Sequence, residues 1–385
     1  MNIGVEAGVL YGRRTGIGNY AYNIMRTLRC QDTDIHFLTP HSFGWKEVSF
    51  GSFSEPPIAA DSGIFNAKMR MTIAKLPAVR TSYQLLRSAI QKKTYRSSVI
   101  SLFHAFNFVP ASEPTAPILP VVYDLSFIRY PEMHPAARVQ WLKRLPFVLD
   151  RARLVHTISE FSRREIADVF GYPLDRILVS YPAARAHFCP KGRTKGADAL
   201  RRLGLEWRSY MLAVGTLEPR KNLQTLLLAY ARLPASARAT CPLVIAGGQG
   251  WGSQTLYPQV ETLLRNGEVR FLGYVSDDDL PRLYEGARLT LYPSIYEGFG
   301  MPVVEAMACG SAVAHSKNTS MDEISEGLAF RVDALDVEGW SECMRTVLRS
   351  EDLESERLAR IERSRRFDWT ASAQVVKEAY EHLLN

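Results

Sequence analysis

The chain has 385 residues, 46% hydrophobic and 23% charged, which allows more than one core and excludes a disordered protein. Its 47 basic and 40 acidic residues leave a formal charge of +7. The five cysteines (Cys30, Cys189, Cys241, Cys309, Cys343) are scattered with no C-x-x-C pair, which argues against a zinc ribbon or a disulfide framework.

Short β-branched and apolar runs alternate with helical patterns from end to end. Strands are predicted at 2–6, 35–39, 99–103, 118–123, 154–158 and 177–180, and a second series at 211–215, 243–246, 269–272, 289–292, 312–314 and 328–332. Helices over 19–28, 137–150, 161–169, 223–233, 279–285 and 302–308 fall between them. Such alternation implies an α/β protein with parallel sheets covered on both faces, and the two series imply two doubly wound sheets. Segment 181–202, with two prolines, Gly192, Gly196 and a basic cluster, reads as the linker between them. The start at Met1 shows no basic segment followed by an apolar run, and the uncharged stretch 239–260 is broken by glycines and prolines. Neither a signal peptide nor a membrane span is expected, and the chain reads as cytoplasmic.

Charge is unevenly spread. Between 62 and 112 there is no Asp or Glu, while Lys68, Arg70, Lys75, Arg80, Arg87, Lys92, Lys93 and Arg96 stand among aliphatic and aromatic residues. A basic, amphipathic, helix-prone stretch from Lys68 to Arg96 suits the surface of an anionic membrane; the alternative is a solvated helical face beside a core. Nucleic acid is not expected, because no helix-turn-helix, RNP or zinc-finger pattern accompanies the charge.

Several motifs carry chemistry. Gly16-Ile17-Gly18-Asn19-Tyr20-Ala21 fits a dinucleotide fingerprint, but about nine residues separate it from the first strand and no acid ends the second. What remains is a glycine pair opening a helix, where backbone N–H groups can approach an anionic or sugar ligand. Asp32-Thr33-Asp34 and Asp277-Asp278-Asp279 read as structural rather than metal-binding. In the segment from Ser294 to Gly310, a glycine loop leads into a helix with Pro302 near its first turn. The N–H groups there face an anion with the helix dipole behind them, and Glu297 and Glu305 flank it as acceptors for sugar hydroxyls. Arg220 and Lys221 stand together in another strand-to-helix loop, where they can neutralise a diphosphate leaving group. His134, His156, His187 and His315 read as loop or core histidines, and Trp251 as a packed loop tip.

These residues together resemble the retaining glycosyltransferases of family 4. The resemblance runs over nearly the whole chain: Thr15 to Tyr20, His104 to Pro110, Tyr123 to Phe127 with Tyr130-Pro131-Glu132, Thr157 to Ser162, the Glu218/Arg220/Lys221 loop, Glu297 to Glu305 as E-x₇-E, and Phe367-Asp368-Trp369 with the last helix. It implies the GT-B fold, two facing Rossmann-like domains over 1–185 (acceptor side) and 186–366 (nucleotide-sugar side), with 367–385 crossing back to the first.

Carried over by position, Glu297 holds hydroxyls of the donor hexose and Glu305 the ribose. Gly298, Phe299, Gly300, Met301 and Pro302 form the donor loop, with N–H groups offered by Phe299, Gly300 and Met301. Arg220 and Lys221 act on the diphosphate beside Gly215 and Thr216, and Tyr274 and Val275 seat the base. Gly16 and Gly18 close over the donor, while His104 and Asp124 line the acceptor side. Configuration is retained, without a covalent Glu intermediate and without a metal. Tyr123 stands where the family often has His, Thr216 where many members have Arg, and Tyr181-Pro182-Ala183-Ala184 where an Asn-Gly loop is usual.

The implied function is transfer of mannose or a 6-deoxyhexose from a GDP-sugar to a lipid-linked oligosaccharide in surface-polysaccharide synthesis, at the inner face of the plasma membrane. A UDP-sugar donor with a soluble acceptor, or a catalytically silent nucleotide-sugar-binding partner, are the alternatives.

Overall fold

The computed structural model describes residues 1–10, 16–41, 44–50, 93–248 and 261–385. Most of the basic stretch 68–96 lies outside the described residues, as do Thr15 and Trp251.

Two parallel sheets organise the chain. The first contains β1 (Asn2–Val5), β2 (His36–His41), β3 (Gly44–Glu47), β4 (Leu102–Ala105) and β5 (Ile118–Pro120) in the order β3-β2-β1-β4-β5. A further parallel pair, β6 (Val155–Thr157) and β7 (Ile177–Val179), joins it through a bridge between Val121 and His156. The second sheet contains β8 (Met211–Val214), β9 (Leu243–Ala246), β10 (Val269–Gly273), β11 (Leu289–Tyr292), β12 (Val313–Ser316) and β13 (Phe330–Val332). Its order is β10-β9-β8-β11-β12-β13, all parallel. Every residue of β4, β9, β11 and β12 is buried, as strands covered on both faces require, and their sequences are correspondingly apolar runs without alternation.

Six helices matter below: α1 (Gly16–Gln31), α2 (Glu160–Phe170), α3 (Leu223–Ala231), α4 (Met301–Ala308), α5 (Met321–Ser325) and α6 (Trp369–Leu384). Asp368 caps α6 by accepting the Thr370 and Ala371 N–H groups at 2.9 Å. The helix then lies back along α1: Lys377 Nζ is 3.0 Å from Asp32 Oδ2, and Gln31 donates to the Thr370 carbonyl at 3.1 Å. Asp32 is therefore a structural partner, as expected.

Three features depart from the sequence reading. Antiparallel β3 is unexpected, because Gly-Trp-Lys-Glu carries no strand pattern; Trp45 anchors it, donating from Nε1 to Ser97 Oγ at 2.8 Å. The helix expected at 137–150 is two, Ala136–Leu142 and Leu145–Arg151, because Pro146 fits only a first turn. Half of the expected linker is the helix Arg193–Arg202.

The two sheets point their carboxyl edges at one another, and the loops there interlock. Ser159 Oγ and Ser162 Oγ donate to the Gly298 carbonyl at 2.6 and 3.3 Å, and the Leu125 N–H donates to Tyr296 Oη at 3.1 Å. The Glu160 N–H, at the start of α2, donates to Glu323 Oε2 on α5 at 3.1 Å. Gly298 approaches so closely that a Cβ on it would lie 2.2 Å from the Tyr123 carbonyl oxygen and 2.8 Å from Asp124 Cβ. Backbone cannot yield there as a flexible side chain could. Gly298→Ala should therefore leave both sheets folded but hold the halves apart, which small-angle scattering would register as a larger radius of gyration; an unchanged profile would mean the junction tolerates the methyl group.

Candidate active site

In open α/β sheets the ligand crevice lies outside the carboxyl edge, where the strand order reverses. In the second sheet that point lies between β8 and β11, and the loops after these two strands carry the charged residues singled out from sequence. After β8, the chain turns at Gly215 (φ +152°) and runs through Thr216 to the short 3₁₀ turn Pro219–Lys221. Asn222, at φ +53°, ends that turn; its side chain donates to the Pro293 carbonyl at 3.1 Å and also to the Ala334 carbonyl, so the loop is tied to the end of β11.

That tie brings the cations to Glu297. Glu297 Oε1 lies 2.7 Å from Lys221 Nζ, and Oε2 lies 2.8 Å from Arg220 Nη1. Arg220 also donates to the Tyr296 carbonyl at 2.7 Å and to Glu218 Oε1 at 2.8 Å. Lys221 Nζ reaches Tyr292 Oη at 2.5 Å and stands 4.8 Å from the ring centre. Burial alone would push the Glu297 carboxyl up, but Arg220, Lys221 and the Ser294 hydroxyl outweigh it and hold the pKa at about 2. Burial likewise opposes the charge on Arg220 and Lys221, and Glu297 overcomes it, raising both. Two cations thus stand against two carboxylates, Glu297 and Glu218. Gly215, Thr216, Lys221, Tyr292 and Ser294 line a small cleft beside it.

Glu305 lies about one turn into α4, eight residues beyond Glu297 along the chain, and behaves in the opposite way. Its Oε2 accepts from Tyr284 Oη at 3.1 Å. Burial dominates, and Arg185 and the Tyr284 hydroxyl offset it only in part, so its pKa rises to about 7. Arg185 is held near by Asp277, whose carboxylate it contacts at 2.5 and 2.9 Å, and its field reaches Glu305 and Tyr274. Tyr274 and Val275 follow β10, with the Tyr274 ring largely exposed. Asp277 lies just ahead of the helix Leu280–Gly286, as expected, and is also the partner of Arg185.

The donor loop is set from behind. Ser320 Oγ donates to the Glu297 and Phe299 carbonyls, both at 2.8 Å. Gly300, at φ +104°, opens α4, with Met301 and Pro302 in its first turn. The Phe299 side chain does not face the crevice; it packs between Tyr181 and Phe367, leaving its backbone to any ligand.

In the first half, Gly16 and Gly18 lie in the opening turn of α1, and Gly16 is open on the side a Cβ would occupy. Asp124 accepts from the Ser126 N–H at 2.9 Å and from its hydroxyl at 2.6 Å, directly against Gly298. His104 corrects the sequence expectation. It is fully buried and faces Tyr380 of α6 rather than the acceptor side of the crevice. His156 is buried beside it, as a core histidine.

Sequence reasoning missed Tyr292, Tyr284, Ser294, Ser320 and Arg185. Tyr292 was within reach, as the last residue of a strand at the carboxyl edge. The others declare themselves only through contacts between segments far apart in the chain.

A family profile described as "Glycosyl transferases group 1" matches residues 202–366. The chain is 33% identical to the O-antigen chain mannosyltransferase B of Escherichia coli, over 96% of either chain. It is 26% identical to the O-antigen chain mannosyltransferase RfbU of Salmonella typhimurium, over 86% of this chain and 87% of that one. Among solved structures, Anabaena Alr3699/HepE in complex with UDP and glucose superposes with a TM-score of 0.65 at 19% identity, covering 99% of this chain and all of the other. WaaG, a glycosyltransferase involved in lipopolysaccharide biosynthesis, superposes with a TM-score of 0.67 at 14% identity, over 100% of this chain and 99% of its own. With two parallel sheets meeting at their carboxyl edges and near-full-length similarity to a group 1 enzyme, the chain belongs to the group 1 glycosyltransferases and has their GT-B fold.

Proposed function

We propose that this glycosyltransferase moves mannose, or a related 6-deoxyhexose, from a GDP-sugar to a lipid-linked oligosaccharide in O-antigen-type polysaccharide synthesis, with retention of configuration. Similarity along almost the whole chain to an O-antigen chain mannosyltransferase carries this reading. In it, Arg220 and Lys221 neutralise the departing diphosphate. That places the largest stabilisation at the oxygen where charge develops, and no divalent ion is needed for it. Glu297, fixed on both oxygens by these cations, keeps lone pairs for hydroxyls of the hexose. The acceptor attacks from the side of the leaving group, with a phosphate oxygen as base. Tyr274 and Val275 flank the base and Glu305 takes the ribose hydroxyls.

The GDP donor rests on the likeness to O-antigen chain mannosyltransferases. The UDP-bound neighbour is the observation favouring the alternative donor. The lipid-linked acceptor would be met at the inner membrane face, with the basic stretch 68–96 on anionic lipid. Among the described residues no helix is long and apolar enough to cross a membrane.

Calorimetric titration with GDP and with UDP is the deciding experiment. Selective GDP binding supports the reading; a UDP preference overturns the donor, and no binding to either overturns the reading of the chain as an active nucleotide-sugar enzyme. Lys221→Ala and Glu305→Ala should each lower transfer at least about tenfold, ~1.4 kcal/mol of transition-state stabilisation. Glu297→Gln should reduce turnover more than nucleotide affinity; equal loss of both would make Glu297 a purely structural anchor.

The pH dependence follows from Glu305. Ribose hydroxyls donate to an ionised carboxylate, while the free protein holds this carboxyl neutral up to about pH 7. Nucleotide affinity should therefore rise, by up to about tenfold, as the pH is raised from ~6 to ~8 and the ionised fraction grows. The terminal phosphate titrates nearby, so Glu305→Gln is the reference: its binding should lose the part of the slope that belongs to Glu305, measured by calorimetry at each pH.

A further inference from the structure

Outside the active site, four buried side chains form an unbroken hydrogen-bonded chain between α6 and α1. Tyr380 Oη is 2.6 Å from His104 Nδ1, His104 Nε2 is 3.0 Å from His156 Nδ1, and His156 Nε2 is 2.8 Å from Tyr20 Oη. Tyr20 Oη lies 2.9 Å from both the carbonyl oxygen and Oγ of Ser180, and Ser180 Oγ is 3.0 Å from the Ser372 carbonyl. None of the four is more than 3% exposed.

The proton order in this chain has one solution. At the far end from Tyr380 the partners are the carbonyl oxygens of Ser180 and Ser372, which only accept. Ser180 Oγ must therefore donate to Ser372, and the single Tyr20 proton goes to Ser180. The Tyr20 oxygen is left to accept from His156, whose proton must sit on Nε2. Burial holds both histidines neutral, with one proton each. His156 Nδ1 then accepts from His104 Nε2–H, and His104 Nδ1 accepts from the Tyr380 hydroxyl. The donors run from Tyr380 of α6 through the two histidines to Tyr20 of α1, and on through Ser180 back to the Ser372 carbonyl of α6.

Tyr20 is where this chain meets the crevice. It lies one helical turn beyond Gly16 and two residues beyond Gly18, in the same helix. Its ring stands edge-on to Tyr123, with centres 5.7 Å apart at 90°. The Tyr123 carbonyl is the atom against which Gly298 docks, and it accepts from Ser162 Oγ at 3.0 Å.

We propose that Tyr20 is a positioning residue for sugar transfer, its hydroxyl fixed by the His156–His104–Tyr380 chain. It sets at once the glycine turn of α1 and the strand end that receives the donor loop. This rests on the reading of Gly16 and Gly18 as the lip that closes over the donor. The C-terminal helix thereby bears on catalysis through Tyr380, which stands among buried side chains rather than in the crevice.

Two measurements on the full-length protein test it. Nitrogen-15 spectra of histidine-labelled wild type should show His104 and His156 neutral, each protonated on Nε2 and bare on Nδ1; a proton on Nδ1 of either overturns the chain. Tyr20→Phe and Tyr380→Phe keep both rings and remove one hydroxyl each. Each should lower kcat for GDP release from GDP-mannose about tenfold, while the Kd for GDP changes by less than about twofold. Lower melting temperatures with unchanged kcat below melting would make the chain purely structural and overturn the proposal. Wild type that neither binds GDP nor turns over the sugar nucleotide would overturn the proposed function and this role together. Active wild type matched by both variants overturns this role alone.

Discussion

A carboxylate shared between two cations at the reversal point of the second sheet governs the arrangement of everything around it. Glu297 is almost entirely removed from water, and an unpaired charge there would be costly. Arg220 and Lys221 make its ionised form the stable one, and in doing so they fasten the loop after β8 to the loop after β11. Removing one partner of such a buried pair typically costs about 3–5 kcal/mol, because the other charge is left uncompensated. The geometry needed for chemistry is therefore held by the same contacts that make these loops fold. In the proposed function, a diphosphate entering beside Lys221 meets cations already in place and already stripped of water, so little reorganisation is left for the moment of reaction.

The junction between the halves depends on this loop as well. Glu297, Gly298 and Phe299 are consecutive, and each is fixed from a different side: Glu297 by the cations, the Gly298 carbonyl by Ser159 and Ser162, and the Phe299 carbonyl by Ser320. Three serine hydroxyls thus satisfy backbone oxygens that the crossing of two domains would otherwise bury unpaired. Gly298 is the point of closest approach, and only the absence of a side chain allows Tyr123 and Asp124 to reach it. A shift in the donor loop is therefore transmitted to the strand end of the first half through backbone contact rather than through flexible side chains.

Much of this was legible in the sequence. The parallel strands announced themselves as apolar runs, Arg220, Lys221 and Glu297 stood out as charged residues in strand-to-helix loops, and Glu305 as the second acid of the E-x₇-E spacing, in the helix that follows. β3 was illegible because an edge strand of four mostly polar residues is made by its neighbour β2 and by one tryptophan. His104 was misplaced because a histidine at a strand end reads as a cleft residue until the helix covering it is known. That helix, α6, is more than 270 residues away in sequence. Tyr284, Ser320 and Arg185 share this limit: hydroxyls and guanidinium groups acquire meaning from what they touch, and nothing local specifies the partner.

The two glutamates of the E-x₇-E pair show where sequence alone must stop. They are the same residue type, on one loop and helix, yet one titrates near 2 and the other near 7. Glu297 is paired with two cations on its own carboxylate; Glu305 has a tyrosine hydroxyl in contact and an arginine that is itself committed to Asp277. Glu297 therefore stays charged around neutrality, as the acceptor role proposed for it requires. Glu305 can exist in either form near neutrality, and a ligand that donates hydroxyls to it selects the ionised one. In the proposed function, where Glu305 takes the ribose hydroxyls, binding at that end is coupled to loss of a proton, whereas the charge state at Glu297 stays constant.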